Sequence, residues 1–212
     1  MKDLAHAVAV ASAAALVPPR CAGCDAAGSW FCLACRHALE PRSFHAGRLS
    51  LRAAGAYEGA LRLAIQRCKY RDERGLTQEL GDLIAVLVAS DLALGVRIDA
   101  VVPVPLHRER VRARGYDQAA LLGARVADRS GLPVIHALHR IRHTRPQVDL
   151  DRVERARNVD GAFVSEAGSL RGLRVAIVDD VTTTGATCLA AATAARAAGA
   201  RDVRAYVVAV DE

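Results

Sequence analysis

Residues 175–187 have the sequence Val-Ala-Ile-Val-Asp-Asp-Val-Thr-Thr-Thr-Gly-Ala-Thr, and this stretch decides the predicted fold. Its four leading apolar residues predict a buried strand, and the alanine-rich segment 186–198 predicts a helix that ends at Gly199. An acidic pair and a Thr/Gly turn lie between the two. Such a turn presents backbone N–H groups and hydroxyls at a helix N-terminus, where the helix dipole favours a phosphate.

The acidic pair and the turn have complementary uses. Asp179 and Asp180 can accept hydrogen bonds from the two vicinal hydroxyls of a ribose, or position a phosphate-bound divalent ion. Gly185 is expected to let the backbone approach the anion closely. The predicted phosphate-binding residues are Thr182, Thr183, Thr184, Gly185, Ala186 and Thr187. The pattern fits a ribose 5-phosphate better than the alternative, in which the acids only cap the helix and the threonines only form hydrogen bonds within the turn.

Strands and helices alternate on both sides of this stretch. The periodicity predicts strands at 49–57, 98–102, 173–178 and 203–210, weaker extended segments at 133–138 and 162–164, and helices at 58–69, 76–87 and 117–128. It also predicts a linker at 41–47, an arginine-rich loop at 103–115 and a functional loop at 139–159. The alternation predicts an α/β fold, a parallel sheet with helices on both faces.

Four cysteines form a C-x2-C-x7-C-x2-C array, namely Cys21, Cys24, Cys32 and Cys35. This spacing predicts a closed structural zinc site, and two disulfides are the alternative. The apolar segment 5–17 is interpreted as an amphipathic helix rather than a signal peptide, which favours zinc. We expect a zinc-binding module at 1–46 and a second domain at 47–212. Cys68 and Cys188 lie in helix-like segments and are assigned no chemistry.

Composition excludes several classes of protein. The 212 residues are 52% hydrophobic and 25% charged, which excludes a disordered chain. The apolar runs are too short to span a membrane, so we expect a cytoplasmic protein. No P-loop or dinucleotide-binding glycine motif occurs in the sequence. The net charge of +6 arises between Arg97 and Arg157, which favours a phosphate-bearing partner, either a small polyphosphate or nucleic acid.

Some basic residues are candidate phosphate contacts. Arg108, Arg110, Arg112 and Arg114 alternate, so they would share one face in an extended segment and scatter in a helix. Both alternatives remain open from the sequence. Lys69 is one of only two lysines among 29 basic residues, which indicates a point-charge phosphate contact, with a plain helix-end residue as the alternative.

Residues 175–187 resemble the phosphoribosyl pyrophosphate (PRPP) signature of the type I phosphoribosyltransferases. From about residue 18 to 210 the chain resembles the ComF family, which pairs a four-cysteine zinc element with this fold and includes competence proteins needed for DNA uptake. Besides the cysteines and this signature, the resemblance is carried by Tyr57-Glu58-Gly59, Lys69-Tyr70-Arg71, Pro103 to Leu106, Arg114-Gly115-Tyr116, Gln147, Arg155, Asn158 and Gly161 to Phe163.

The resemblance implies a type I phosphoribosyltransferase fold and a role for several of the matched residues. Asp179 and Asp180 would be catalytic residues on the ribose hydroxyls, and Thr182 to Thr187 would hold the 5-phosphate. The loop from Pro103 to Arg108 would receive pyrophosphate, and the segment 139–157 would form a lid. The pyrophosphate and lid residues are Lys69, Pro105, Leu106, Arg108, Arg114, Gln147, Arg155 and Asn158.

The implied reaction is displacement of pyrophosphate from C1 of PRPP by a nitrogen nucleophile, a glycosyl transfer assisted by Mg²⁺. The alternative is a non-catalytic protein that handles single-stranded DNA together with the competence machinery. Nothing in the sequence specifies a nucleobase pocket. Any hood over the site is expected to come from the zinc region and the residues up to about 94.

Overall fold

A computed structural model describes residues 18–70, 73, 75–141 and 161–211. Within these residues the strands are β1 (Arg42–Ala46), β2 (Leu49–Ala56), β3 (Ala100–Pro103), β4 (Leu138–Arg140), β5 (Phe163–Ser165), β6 (Arg174–Thr182) and β7 (Asp202–Val210). The helices are α1 (Leu33–His37), α2 (Gly59–Tyr70), α3 (Gly75–Ala93), α4 (Arg108–Arg114), α5 (Gln118–Ser130) and α6 (Ala186–Ala197). The predicted helix 5–17 and the lid residues Gln147, Arg155 and Asn158 lie outside the described residues.

The described strands form a sheet in the order β1-β2-β7-β6-β3, and β4 pairs with β5 in a second, small sheet. In the large sheet β1 is antiparallel to β2, and the other neighbours pair in parallel. Alternate residues of β6 enter opposite apolar layers. Ile177 packs with α6, β4 and β5, whereas Val178 packs with α2, α3 and α5. The predicted parallel sheet with helices on both faces is therefore confirmed.

Three local predictions are wrong. The predicted linker contains strand β1, which pairs with β2 through the five residues from Arg42 to Ala46. The predicted arginine-rich loop contains helix α4, because His107 caps its start and Gly115 ends it at a φ of 80°. In the predicted strand 133–138, Val134 forms only an isolated bridge to β3.

The N-terminal element packs directly on α3. The carboxylate of Glu79 in that helix accepts hydrogen bonds from the backbone N–H groups of Trp30 and Phe31. Arg36 of α1 also pairs with Glu79, at 3.1 Å. Phe31 is fully buried in the apolar layer that includes α2, α3 and α5. The four-cysteine element therefore shares a core with the sheet, and its separation as a domain ending at residue 46 stays a prediction.

Among the described residues, no helix is both long enough and apolar enough to traverse a lipid bilayer.

Candidate functional site

The acidic pair lies inside the last part of β6, which continues four residues beyond the predicted strand end at Val178. Successive side chains of a strand point to opposite faces of the sheet. The two acids accordingly have different surroundings. Asp180 contacts Lys69 at the end of α2. Asp179 interacts electrostatically with Arg140 of β4 and lies close to Cys188 of α6.

Asp180 forms an ion pair with Lys69. The distance from Lys69 Nζ to Asp180 Oδ2 is 2.7 Å, and the two side chains are only 18% and 16% exposed. Burial alone would lower the pKa of Lys69, but the carboxylates of Asp180 and Asp179 raise it above its usual value. The ammonium group therefore stays charged and screens the acidic pair.

Asp179 titrates near neutrality. Burial and the neighbouring charge of Asp180 raise its pKa from 3.8 to about 7. The Asp180 backbone N–H, which donates to Asp179 Oδ1 at 2.8 Å, opposes this shift, as do Lys69 and Arg140. Asp179 therefore changes protonation near neutral pH.

The turn after β6 is stabilised by its own hydroxyls. Thr182 is buried, and its Oγ1 accepts a hydrogen bond from Gly185 N at 3.1 Å. Thr184 Oγ1 accepts one from Ala186 N at 3.4 Å. Two of the amides predicted to hold phosphate thus have internal partners in this conformation. Thr183 and Thr187 are half-buried beside them at the start of α6.

Gly185 in the turn is required by packing as well as by the predicted role in anion binding. Gly185 has a φ of 78°, and a Cβ added there would lie 2.6 Å from Ala46 Cβ of β1. This packing by itself disfavours any larger residue at position 185, and the close approach of an anion stays a prediction. Gly185 is needed because the turn packs against β1 in a left-handed conformation.

We expect Gly185→Ala to destabilise the fold by about 2–4 kcal/mol, since it combines an unfavourable φ with a steric clash. Gly131→Ala is the matched control, because Gly131 has a φ of 69° and open space around the added Cβ. That control should lose only about 1 kcal/mol. Urea unfolding of the two variants measures the difference, and equal losses would contradict the packing argument.

The predicted pyrophosphate segment is held beside β6. Val104 N donates to Val178 O at 2.9 Å, and Leu106 N donates to Asp117 Oδ2 at 3.0 Å. The other oxygen of Asp117 caps α5 through Ala120 N. The segment therefore lies next to the strand that carries the acidic pair, but the Leu106 amide already donates a hydrogen bond within the protein. Pro105 lies within it and is half-buried.

The alternating arginines lie on helix α4. The extended alternative, in which they share one face, is wrong. Arg108 and Arg112 are exposed, whereas Arg110 and Arg114 are half-buried. Arg114 donates to Gln118 Oε1 at 3.1 Å. The helix thus divides the arginines into a solvent-facing pair and a pair that faces the protein.

The side chains of the four cysteines in the N-terminal array form one cluster. Their Sγ atoms all lie within 4.8 Å of one another, with 3.7 Å between Cys21 and Cys35 and 3.5 Å between Cys24 and Cys32. Zinc–sulfur bonds of about 2.3 Å in a tetrahedron place sulfurs about 3.8 Å apart. The cluster therefore fits a zinc ion. The six cysteines, all in described residues, are free thiols, so the disulfide alternative is not supported.

Backbone groups support the metal-binding cluster. Cys32 N donates to Cys21 Sγ at 3.3 Å. Burial alone would raise the pKa of Cys21, but backbone N–H groups, including that of Cys32, bring it to about 6. Such amide hydrogen bonds favour the thiolate that a metal requires.

Two curated relatives are similar to the chain. Competence protein F of Haemophilus influenzae is 33% identical over 141 residues, which are 63% of this chain and 60% of that protein. The DNA utilization protein YhgH of Salmonella typhimurium is 33% identical over 135 residues, which are 62% of this chain and 59% of that protein. This similarity agrees with the resemblance to the ComF family that the sequence motifs indicate. The chain spans about three fifths of the length of each relative.

Other comparisons with the chain are weaker. No protein-family model matches it. It is similar to a glutamine PRPP amidotransferase from B. subtilis complexed with ADP and GMP, at 25% identity over 62% of this chain and 25% of that chain, with a TM-score of 0.42. The UMP synthase of Leishmania donovani gives 17% identity over 71% of this chain and 23% of that chain, with a TM-score of 0.36. These low TM-scores describe partial similarity.

Arg140 lies near the acidic pair, and no sequence pattern predicts a role for it. Its half-buried guanidinium lies 5.4 Å from the ring centre of Phe163, its cross-strand partner, and interacts with Asp179. Arginine is so common in this sequence that one more within the predicted lid segment carried no signal. Only the pairing of β4 with β5 shows why this arginine is fixed near the acidic pair.

A buried cluster around Cys68 is also not predicted from the sequence. Tyr116 and Gln118 both contact this residue, which immediately precedes Lys69. Tyr116 belongs to the motif Arg114-Gly115-Tyr116 that carries the family resemblance, but the resemblance implies no role for it. Gln118 belongs to none of the predicted motifs. Burial raises the pKa of Cys68 to about 11, so its thiol stays neutral, as expected for a residue without chemistry of its own.

Proposed function

We propose that the chain binds PRPP, or another ribose 5-phosphate, at the carboxyl edge of its sheet and transfers the phosphoribosyl group to a nitrogen acceptor. The observation that carries the proposal is the ion pair of Lys69 with Asp180, one residue from Asp179, where β6 leads into the turn and α6. A cation, two carboxylates and three threonines are thereby placed along one edge. These are complementary to the phosphates and hydroxyls of a ribose phosphate.

Each group has a distinct part in this proposal. Asp179 and Asp180 accept hydrogen bonds from the ribose 2- and 3-hydroxyls. The hydroxyls of Thr183, Thr184 and Thr187, with the N-terminal end of α6, hold the 5-phosphate. Lys69 contributes a positive charge on the side of Asp180. The strand and the turn are rigid supports, which suits a site that must orient its ligand.

The reaction needs no protein nucleophile. The lone pair of the acceptor nitrogen forms a bond to C1 while the C1–O bond breaks, pyrophosphate leaves with the electron pair, and the nitrogen loses a proton. Mg²⁺ is bound in proteins by one or two carboxylates together with substrate phosphates, which Asp179 and Asp180 fit, and it would neutralise charge on pyrophosphate. The protein's own part is to orient the ribose and to supply fixed positive charge from Lys69 and Arg114.

Isothermal titration calorimetry with PRPP and Mg²⁺ tests the binding step. We expect the wild type to bind and Asp180→Asn to bind at least about 30-fold more weakly, since a charged acceptor of the ribose hydroxyls is lost. Asp202→Asn is the matched control, because Asp202 is an exposed acid at the opposite end of the parallel strands. Equal affinity in the Asp180→Asn variant and the wild type would refute the ribose site.

The transfer step is tested by release of pyrophosphate from PRPP in the presence of a panel of nucleobases and amines. Release that depends on one class of acceptor supports the enzyme. Intact PRPP binding without release for any acceptor favours the second candidate function, handling of single-stranded DNA.

The DNA-handling candidate is favoured by the net charge of +6 and by the exposed Arg108 and Arg112 on α4. The names of the relatives, competence protein F and DNA utilization protein YhgH, agree with it. If single-stranded DNA binds there, its affinity should fall steeply with salt concentration. Replacing Arg112 by serine should reduce that salt dependence and leave PRPP binding unchanged, because Arg112 is exposed and is not one of the predicted pyrophosphate residues.

A further inference from the structure

We propose that Tyr116 and Gln118 are positioning residues that anchor the end of α2 and thereby hold Lys69 against Asp180. The contacts of Tyr116 and Gln118 with Cys68 do not depend on the proposed function, whereas their effect on ligand binding rests on it. Both residues contact Cys68, which immediately precedes Lys69, so both would act on Lys69 through the helix end.

Both residues reach the same point from the junction of α4 and α5. The Tyr116 hydroxyl donates a hydrogen bond to the backbone carbonyl of Cys68. Gln118 Nε2 approaches Cys68 Sγ at 3.4 Å. The carbonyls in the last turn of a helix lack partners within the helix, so the tyrosine satisfies one of them. Cys68 is thus held by its backbone and by its side chain.

The burial of the cluster indicates that these contacts are fixed rather than transient. Cys68 is 0% exposed, Gln118 is 2% exposed and Tyr116 is 8% exposed. A buried amide or hydroxyl that loses its partner is unfavourable, so each group has a strong reason to keep its present geometry.

Anchoring at position 68 matters because Lys69 is the next residue. A lysine side chain has many rotamers and loses considerable freedom when it forms a single ion pair. The ion pair at 2.7 Å is favoured when the backbone that carries Lys69 is already in place. Tyr116 and Gln118 provide that placement from outside the helix.

The same glutamine also holds Arg114. Gln118 Oε1 accepts a hydrogen bond from Arg114 NH1 at 3.1 Å, while Nε2 faces the Cys68 sulfur. The amide is therefore oriented by a donor at one end and an acceptor at the other. A single buried side chain thus links an arginine predicted to contact pyrophosphate with the backbone that carries Lys69.

Lys69 can be monitored directly because the chain contains only one other lysine, Lys2. We suggest brief labelling of the full chain with acetic anhydride, followed by peptide mass spectrometry with Lys2 as the internal reference. Tyr116→Phe and Gln118→Met should each increase the labelling rate of Lys69 at least about fivefold, the equivalent of one lost hydrogen bond. The same variants should bind PRPP about fivefold more weakly.

Tyr206→Phe is the matched control for a purely structural effect. Tyr206 is also fully buried, and its hydroxyl donates to Asp91 Oδ2 at 2.7 Å, within the packing between β7 and α3. This variant should lose thermal stability and leave the labelling of Lys69 unchanged. If Tyr116→Phe and Gln118→Met also lose only stability, with Lys69 labelled as in the wild type, the positioning role is overturned.

The experiment separates this inference from the proposed function. Faster labelling of Lys69 in both variants supports the anchor even when the wild type shows no PRPP binding, and that second result would overturn the ribose phosphate proposal alone. Faster labelling without any loss of measurable PRPP affinity would overturn the claim that the anchor serves the ligand.

Discussion

Removal of the metal from the four-cysteine site is expected to unfold the N-terminal element and to lower the free energy of unfolding of the whole chain by several kcal/mol. Structural zinc in isolated fingers contributes about 10–16 kcal/mol of apparent binding free energy. Even a third of that is comparable with a typical total stability of about 5–15 kcal/mol. The effect should reach the sheet because Phe31 and Cys21 are buried in the layer they share with α3.

Elemental analysis should find one zinc ion per chain in the wild type and less in Cys24→Ser. Thermal unfolding with and without a chelator measures the loss of stability. Cys188→Ala is the matched control, since Cys188 is a buried cysteine of α6 outside the cluster, and it should retain the full zinc content. A wild type that contains no metal, or a chelator without effect on unfolding, would contradict the assignment.

Hydrophobic periodicity predicted most of the fold, and its failures have local causes. The segment 108–114 alternates arginine with other residues, which mimics a strand or loop, whereas the cap by His107 and the left-handed Gly115 decide for a helix. The segment 42–46 lies between a proline and a glycine and so resembles a linker. It becomes a strand because its residues pair with β2, a contact that no local pattern reveals.

In the candidate site, too, the features set by neighbouring residues could be predicted from the sequence, whereas the contacts between distant residues could not. The order of acids, threonines and glycine along the chain predicted the turn and the start of α6. The different surroundings of Asp179 and Asp180 follow from strand alternation, but only if β6 is known to continue past Val178. Lys69 stands out in the sequence because the chain contains only one other lysine. Its contact with Asp180 joins residues more than a hundred positions apart, which a single sequence does not report.

The proton on Asp179 is expected to control both ligand affinity and stability near neutral pH. With a pKa of about 7, the group is mostly neutral at about pH 6 and mostly ionised at about pH 8. The ionised carboxylate is the stronger acceptor for ribose hydroxyls. PRPP affinity should therefore rise about tenfold between these pH values, and the rise should disappear in Asp179→Asn. A variant that keeps the full rise would show that the proton belongs to the ligand instead.

Stability should change in the opposite direction. The folded state raises the pKa of Asp179 above its unfolded value of 3.8, so it binds this proton more tightly than the unfolded chain does. The contribution of the group to the free energy of unfolding therefore falls as the pH rises from about 4 to about 7 and is constant above that. The full shift corresponds to about 4 kcal/mol, and partial exposure of the site reduces this to ~2 kcal/mol.

Asp179→Asn should therefore be more stable than the wild type at about pH 8 and nearly equal to it at about pH 4. Asp180→Asn should be less stable than the wild type at both pH values, because it leaves the Lys69 ammonium without its ion-pair partner at 2.7 Å. Urea unfolding of the three proteins at the two pH values measures these differences. Parallel pH profiles for the wild type and Asp179→Asn would show that Asp179 titrates as an ordinary carboxyl. If Asp179→Asn raises stability and Asp180→Asn lowers it, the two carboxylates differ as expected. Burial and the charge of Asp180 disfavour ionised Asp179, whereas Lys69 stabilises ionised Asp180.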